Sequence, residues 1–414
     1  MIKIVTMQEA MALVKARAGD SARYEDAVRP IITAVRRDGD AALLRYAREL
    51  DGLNADSIRV PEDDLAAAAK SLCASLRRAV ELAVTNIRQF AQAQLPSECF
   101  REFSPGRKLG WIVRPLDAVG CYIPSGRYPL LSTLLMTAVF AQAAGVPRIA
   151  VASPHLSQEI LACAHLLGLR EVYRVGGAHA IAAMALGTES IPPVDRIVGP
   201  GNAYVAASKK LLAGEVGIDF IAGPTEILIM TDQGDPVIIA ADMLAQAEHD
   251  VTASAMLVTT SQELAVSTRR ELERQLLTLP VDSVAREAID NSSFIALVQT
   301  QDEAVALSNA IAPEHLSLYD AALLPKIKSA GAIFLGASSP ESAGDYAAGP
   351  SHVLPTGGGA RVRGGLSTAD FVKVIATQEL TPFALEELAP AIVTLARAEG
   401  LEAHARAVEV RSVN

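Results

Sequence analysis

Five short apolar runs, DAVGCYI (117–123), RIAVAS (148–153), EVYRV (171–175), DRIV (195–198) and IDFI (218–221), follow one another with helical stretches between most of them. Glycine and proline divide them. Strands that join in parallel need a crossover, usually a helix, and are covered on both faces. Apolar runs alternating with helical segments therefore indicate βαβ units around a mostly parallel sheet. A second series starts at EILIM (226–230). It continues through a helix entered at Asp235 and Pro236, SAMLVTT (254–260) and a charged helix through Glu271 and Glu273, then FIALV (294–298), HLSLY (315–319) and AIFLG (332–336). The chain reads as α/β, with two such lobes in succession and no evident internal repeat.

Outward from these lobes the texture changes. Before Trp111 the apolar positions recur at helical spacing, as in DAALLRYAREL (40–50) and LRRAVELAVTNIRQFAQAQ (76–94). A glycine-rich passage, Gly357 to Gly365, precedes a C-terminal tail that reads as helical. The expected organisation is a helical N-terminal segment (1–110), a first α/β lobe (111–224), a second α/β lobe (225–365) and a helical tail (366–414).

With 414 residues the chain exceeds one small core, and half of them are hydrophobic. A net charge of −10 argues against a nucleic-acid or anionic-membrane surface and favours a small-molecule substrate. Cys73, Cys99, Cys121 and Cys163 are widely spaced and form no CxxC pair, so reduced thiols in a cytoplasmic protein are expected. The start, MIKIVTMQEA, lacks the pattern of a secretory leader. The apolar stretch from Leu130 to Val146 is interrupted by Ser132, Thr133, Gln142 and Gly145, which suits a buried helix better than a membrane span.

Candidate chemistry sits in a few places. IIAADMLAQAEHD (238–250) spaces Gln246 and His249 three apart, on one helix face, where an amide oxygen and an imidazole can help to hold a divalent metal; a plain polar face is the competing reading. In APEHLSLYD, Glu314 and His315 adjoin where a strand begins, and an imidazole there suits proton transfer near neutrality. SPESAGDYAAGPSHVLPTGGGAR puts Glu341, Asp345 and His352 in a loop after AIFLG, and loops at the carboxyl ends of parallel strands are where α/β proteins place their sites. Asp345 can supply a hard oxygen ligand, or the segment can be a solvated turn. Gly176, Gly177 and the GPGN at 199–202 are the glycines available to a nucleotide, yet neither GxGxxG nor a P-loop occurs, and they serve equally as turn residues. GxSxG and HExxH are also absent. His155 and His165 read as structural or surface.

Taken in order, VGCYIPSGRYPLLSTLLM, VGGAHAIAAMALGTE, DRIVGPGNAYVAASKK, AGPTEILIM, LAQAEHD, APEHL, SPESAGDYAAGPSHVLPTGG and LARAEGLEAHARAV make the chain resemble the histidinol dehydrogenase family over nearly its full length. The resemblance implies two incomplete Rossmann-like lobes and a C-terminal helical tail exchanged in a homodimer. It implies oxidation of L-histidinol to L-histidine through bound histidinal with two NAD, and one zinc ion per subunit. By motif, Gln246, His249, Asp345 and His404 are its implied zinc ligands, His404 coming from the partner, and Glu314 and His315 its acid-base pair. Ser132, Thr225, His352 and Glu399 match positions around the substrate, which also meets the zinc ligands and His315. Tyr122, His179 and Asn202 match the NAD positions.

Two residues depart from the family pattern. His179 stands where GGAQA is usual, and one imidazole tautomer does not reproduce the donor–acceptor pair of an amide. Thr225 stands where Ser is common and keeps the hydroxyl. A paralogous zinc- and NAD-dependent dehydrogenase of another small alcohol, such as a sulfonated propanediol, is the alternative, and GRYPL with His179 is compatible with it. His352 and Glu399 favour the cationic imidazole substrate, since a sulfonate calls for a further Arg or Lys.

Overall fold

The computed structural model describes residues 2–16, 22–125 and 130–411, so GRYP (126–129) of the first family block and the final three residues lie outside the described residues. The first lobe is a five-stranded parallel sheet in the spatial order Glu171–Arg174, Arg148–Ser153, Ala118–Tyr122, Arg196–Val198 and Gly217–Ile218. Successive side chains along a strand point to opposite faces. Val119 and Cys121 accordingly enter one core with Val151 and Val172, while Ala118 and Tyr122 enter another with Ala150 and Tyr173. Helices cover both faces, which is why the central strand is apolar along its length and carries no alternation.

The second lobe has the same order around a central Glu226–Met230, with Phe294–Leu297 and Ser254–Thr259 on one side and His315–Leu318 and Ala332–Leu335 on the other. The structural repetition leaves no trace as a sequence repeat. A fully buried parallel strand requires only a short apolar run, and many unrelated runs meet that requirement.

Helices Ala22–Asp38, Asp40–Leu50, Glu62–Ser71 and Ala74–Ala93 pack on helices of the first lobe. The N-terminal segment is not helical throughout. Lys3–Val5 joins the outer edge of the second lobe's sheet, parallel to Phe294–Leu297, so the first residues tie one lobe to the other. Cys99–Ser104 and Arg107–Pro115 begin a small antiparallel sheet that Val372–Leu380 completes. The tail therefore contributes a nine-residue strand, after a single turn at Thr368–Phe371, before its helices Pro382–Ala398 and Glu402–Glu409. VKVIATQEL shows no period of two because this strand buries neither face fully within the chain.

Leu131–Ala143 is the expected buried helix, apolar all round because it is enclosed all round. No helix among the described residues is long and apolar enough to cross a membrane, and all four cysteines are free.

Candidate functional site

Glu314 and His315 stand at the amino end of the second sheet. Helix Gln301–Ile311 is stopped by buried Ala312 in a left-handed conformation (φ 53°), after which Pro313 cannot resume it. His315 then opens its strand, paired with Ile227 on one side and Ala332 on the other. Gly331 is required here, because a Cβ on it would lie 2.6 Å from the Glu314 carbonyl oxygen.

The carboxylate of Glu314 is held in place. Its Oε2 accepts from Thr225 Oγ1 at 2.5 Å and from the Glu226 amide at 2.9 Å, and Thr225 Oγ1 in turn accepts from Gln246 Nε2 at 2.6 Å. Burial lifts the Glu314 pKa above the ordinary carboxylate value, although the His315 charge and these donors oppose it. His315 Nδ1 lies 3.3 Å from the Glu226 carbonyl oxygen, an acceptor, so the ring's proton belongs on Nδ1. Its Nε2 is buried without a hydrogen-bond partner, 3.6 Å from Asp345 Oδ1, too far for a hydrogen bond. Burial opposes charge on this imidazole, yet the Glu314 and Asp345 carboxylates outweigh it and hold the pKa up at about 9. Once it gives up the proton that these carboxylates favour, the imidazole is a base with an open Nε2 lone pair beside a second, anchored carboxylate.

Asp345 reaches this point from an unexpected direction. The sequence pattern predicts that the segment after Ala332–Leu335 holds its polar residues in a loop at the carboxyl end of the sheet. Instead Glu341–Tyr346 is a short helix that carries Asp345 to the amino end, where His315 stands. A strand gives its own direction, but only packing shows that the next segment runs back along it. His352 follows in the loop, donating from Nδ1 to the Asp345 carbonyl at 2.9 Å and meeting Thr133 Oγ1 through Nε2 at 3.3 Å. Burial lowers the His352 pKa. Thr133 and its neighbour Ser132 are buried on the first lobe's helix Leu131–Ala143, so the site lies between the lobes.

Gln246 and His249 do not share a helix face. Helix Pro236–Ala247 ends before His249; Gln246 is buried in its last turn, while His249 is exposed just beyond. A spacing of three carries the geometry of a helix only while the helix lasts. Gln246 spends its Nε2 on Thr225, which leaves the amide oxygen for a ligand. Burial raises the Asp345 pKa, but His315, His352 and His249 around it reverse that and leave it below its ordinary value. Amide oxygen, carboxylate and imidazole are a donor set that fits zinc. They are three of four: among the described residues of one chain, no three His, Cys, Asp or Glu side chains converge as a metal cage. His404 and Glu399 lie exposed on the tail, whose main packing is against itself and the small antiparallel sheet. Within one chain they are not brought to the other residues.

The implied cofactor residues cluster at the carboxyl ends of the first sheet, where the strand order reverses between Ala118–Tyr122 and Arg196–Val198. This is the crevice where open α/β sheets bind ligands. Tyr122 ends the central strand, and its phenol oxygen accepts from the Gly177 amide at 3.1 Å. Asn202 caps helix Ala203–Leu212, accepting through Oδ1 from the amides of Tyr204 and Val205. The preceding Gly199 is gripped by a buried ion pair: Lys209 Nζ donates to its carbonyl at 2.5 Å and to Asp219 at 2.7 Å, and Asp219 accepts the Gly199 amide at 2.8 Å. His179 is fully buried and pairs with Asp51.

Sequence reasoning overlooked Thr133, Glu226 and Asp51. Thr133 lies beside Ser132 in a helix without a polar face, Glu226 acts through its backbone, and Asp51 comes from a segment read only as helical. The motif SPES did contain Glu341, which is buried with both carboxylate oxygens unpartnered. Burial and nearby Asp242 push its pKa up to about 7.

Comparison with known proteins places the chain in a family. The family model for histidinol dehydrogenase matches residues 14–412. A histidinol dehydrogenase of Geobacillus kaustophilus is 45% identical over 99% of both chains, and one of Rhizobium meliloti is 45% identical over 93% of this chain and 91% of that protein. The crystal structure of a histidinol dehydrogenase from Elizabethkingia anophelis superposes with a TM-score of 0.94 at 36% identity, covering 99% of this chain and 98% of that one. A buried Glu314–His315 pair set between two parallel-sheet lobes thus coincides with similarity along the whole chain, which belongs to the histidinol dehydrogenase family.

Proposed function

We propose that this chain oxidises L-histidinol to L-histidine through histidinal, using two NAD per substrate. The observation that carries the reading is the tautomer imposed on His315: Nδ1 is committed to the Glu226 carbonyl, and Nε2 is open toward Asp345. In its neutral form His315 takes the alcohol proton through Nε2 as the hydride leaves carbon. Tyr122, Asn202 and His179 would hold NAD in the first lobe, where it would supply the hydride acceptor. Glu314, anchored through Oε2, keeps its other oxygen to activate the water that hydrates the aldehyde, and a second hydride transfer then yields the acid. Burial of the pair excludes bulk water and strengthens both roles.

Gln246, His249, Asp345 and a His404 from a second copy would hold zinc, which would supply orientation of the substrate. Ser132, Thr225 and His352 surround the substrate, and Glu399 of the second copy faces its imidazole. The homodimer is supported by the tail itself, which leaves Phe383, Leu395, Leu401 and Val410 exposed in a single chain. Four free thiols suit a cytoplasmic enzyme.

The test is NADH formation from L-histidinol by the zinc-loaded protein, followed to completion. Two NADH per histidinol, abolished by a chelator, is the expected result; no turnover by folded, zinc-loaded protein overturns the reading. Mixing inactive His315→Ala and His404→Ala proteins tests the shared site. A mixed dimer holds one site with both lesions and one with neither, so activity returns if tails are exchanged.

A further inference from the structure

We propose that Asp51 is a positioning residue for the cofactor, acting through a buried pair with His179 that holds the turn at Gly176 and Gly177; the inference rests on reading the first lobe as the NAD lobe. Helix Asp40–Leu50 ends at Asp51, and Gly52 (φ 68°) turns the chain away, leaving the Asp51 carboxylate aimed into the first lobe. One oxygen, Oδ2, accepts both the Gly176 amide at 2.8 Å and His179 Nε2 at 2.8 Å, and the two side chains are nearly inaccessible, at 8% and 1% exposure.

A carboxylate only accepts, so the proton of His179 belongs on Nε2. Its Nδ1 is buried without a partner and lies beneath Gly177, 3.5 Å from where a Cβ there would sit. The turn is fixed from its other sides as well. The Gly177 amide donates to the Tyr122 hydroxyl at 3.1 Å, and the Pro154 ring fills the place of a Gly176 Cβ.

Two consequences follow. The amide of the N-cap residue Gly176 is spent on Asp51 and that of the first helical residue, Gly177, on Tyr122, so a carboxylate of the chain stands at the entry to helix Gly177–Leu186, where dinucleotide-binding folds receive a phosphate. His179 is also sealed beneath the turn, so it acts on the cofactor by setting the height of Gly176 and Gly177 and the aim of Tyr122. A histidine at this position has a stable role only because Asp51 receives its proton.

The experiment uses the full-length enzyme. Long-range proton–nitrogen NMR of the imidazoles, with His179 assigned by its loss in His179→Gln, should show an Nε2-protonated ring; a proton on Nδ1 alone overturns the pair. Calorimetry with NAD then compares variants. Losing a charged hydrogen-bond acceptor should weaken NAD binding about tenfold or more in Asp51→Ala. KM for NAD should rise in step, while KM for histidinol and kcat at saturating NAD stay within about threefold. Asp51→Asn keeps an oxygen able to accept both donors and should recover most of the affinity. His179→Leu removes the same bond from the other end and decides the matter should Asp51→Ala not fold. Unchanged NAD affinity in a folded variant that lacks the bond overturns the proposal. Absence of NAD binding by the unaltered protein overturns the cofactor reading of the lobe instead, while the NMR still reports on the pair.

Discussion

The two lobes share one strand order but use opposite ends of it. In the first, the crevice at the switch point of the strand order lies at the carboxyl ends, around Tyr122, Gly199 and Asn202. In the second, Glu314, His315 and Thr225 gather at the amino ends. Their buried charges differ accordingly. Lys209 and Asp219 in the first lobe satisfy each other and the backbone of Gly199, whereas His315 Nε2 and both oxygens of Glu341 in the second are left open. Burying a polar atom without a partner costs free energy; His179 Nδ1 in the first lobe bears that cost beneath its turn, whereas in the second lobe the open atoms of His315 and Glu341 lie beside Asp345, where a ligand can offset it.

The largest effect expected of this contrast is on catalysis. His315→Ala should lower kcat for NADH formation about a thousandfold, the scale of a lost general base, while NAD affinity at the other lobe stays within about threefold by calorimetry. A parallel loss of NAD binding would mean the two ends are not separable.

Next comes stability. Lys209→Met strands Asp219 as a buried unpaired charge and should cost about 3–5 kcal/mol in denaturant unfolding. A cost below about 1 kcal/mol would place that pair among surface-like bridges and remove it from the scaffold.

Glu341 should behave oppositely. Its pKa in the native state is about 7 against an ordinary 4.5, so the native state holds the proton more tightly than the unfolded one. This contribution is fully present below about pH 4.5 and is lost as pH rises through about 7. At about 1.4 kcal/mol per pH unit, the loss is about 3 kcal/mol. Metal-free Glu341→Gln should lack that decline, and unfolding curves from pH 5 to 8 that run parallel to the unaltered protein's would contradict the assignment.

The smallest effect is a displacement of the pH profile. His315 must be neutral to accept the alcohol proton, so kcat/KM should rise with pH until its raised pKa is passed. Glu314→Gln removes one of the two carboxylates that hold it up and should move the rising limb for the first hydride transfer toward lower pH by about one unit. An alkaline shift would show that Glu314 acts on His315 in some other way.

Much of this was legible in the residues. Short apolar runs alternating with helical segments declare a parallel sheet because burial on both faces demands them, and the motifs from VGCYIP to LEAHARAV name the family. Local patterning is a property of the chain itself, since strand burial, helix period and capping act over a few residues. That is why the α/β lobes and the buried helix at 131–143 could be read from the sequence, and why Glu314 and His315 stood out as adjacent residues at a strand start.

Only the tertiary structure decided which end of each sheet is used, that Gln246 is buried while His249 lies past its helix, that Thr133 meets His352, and that Asp51 stands under His179. These are contacts between residues far apart in the chain, and a carboxylate carries no local sign of which amide or imidazole it will meet. The sequence determines such pairs only through the packing of whole elements, which decides which partner, if any, each buried polar atom meets.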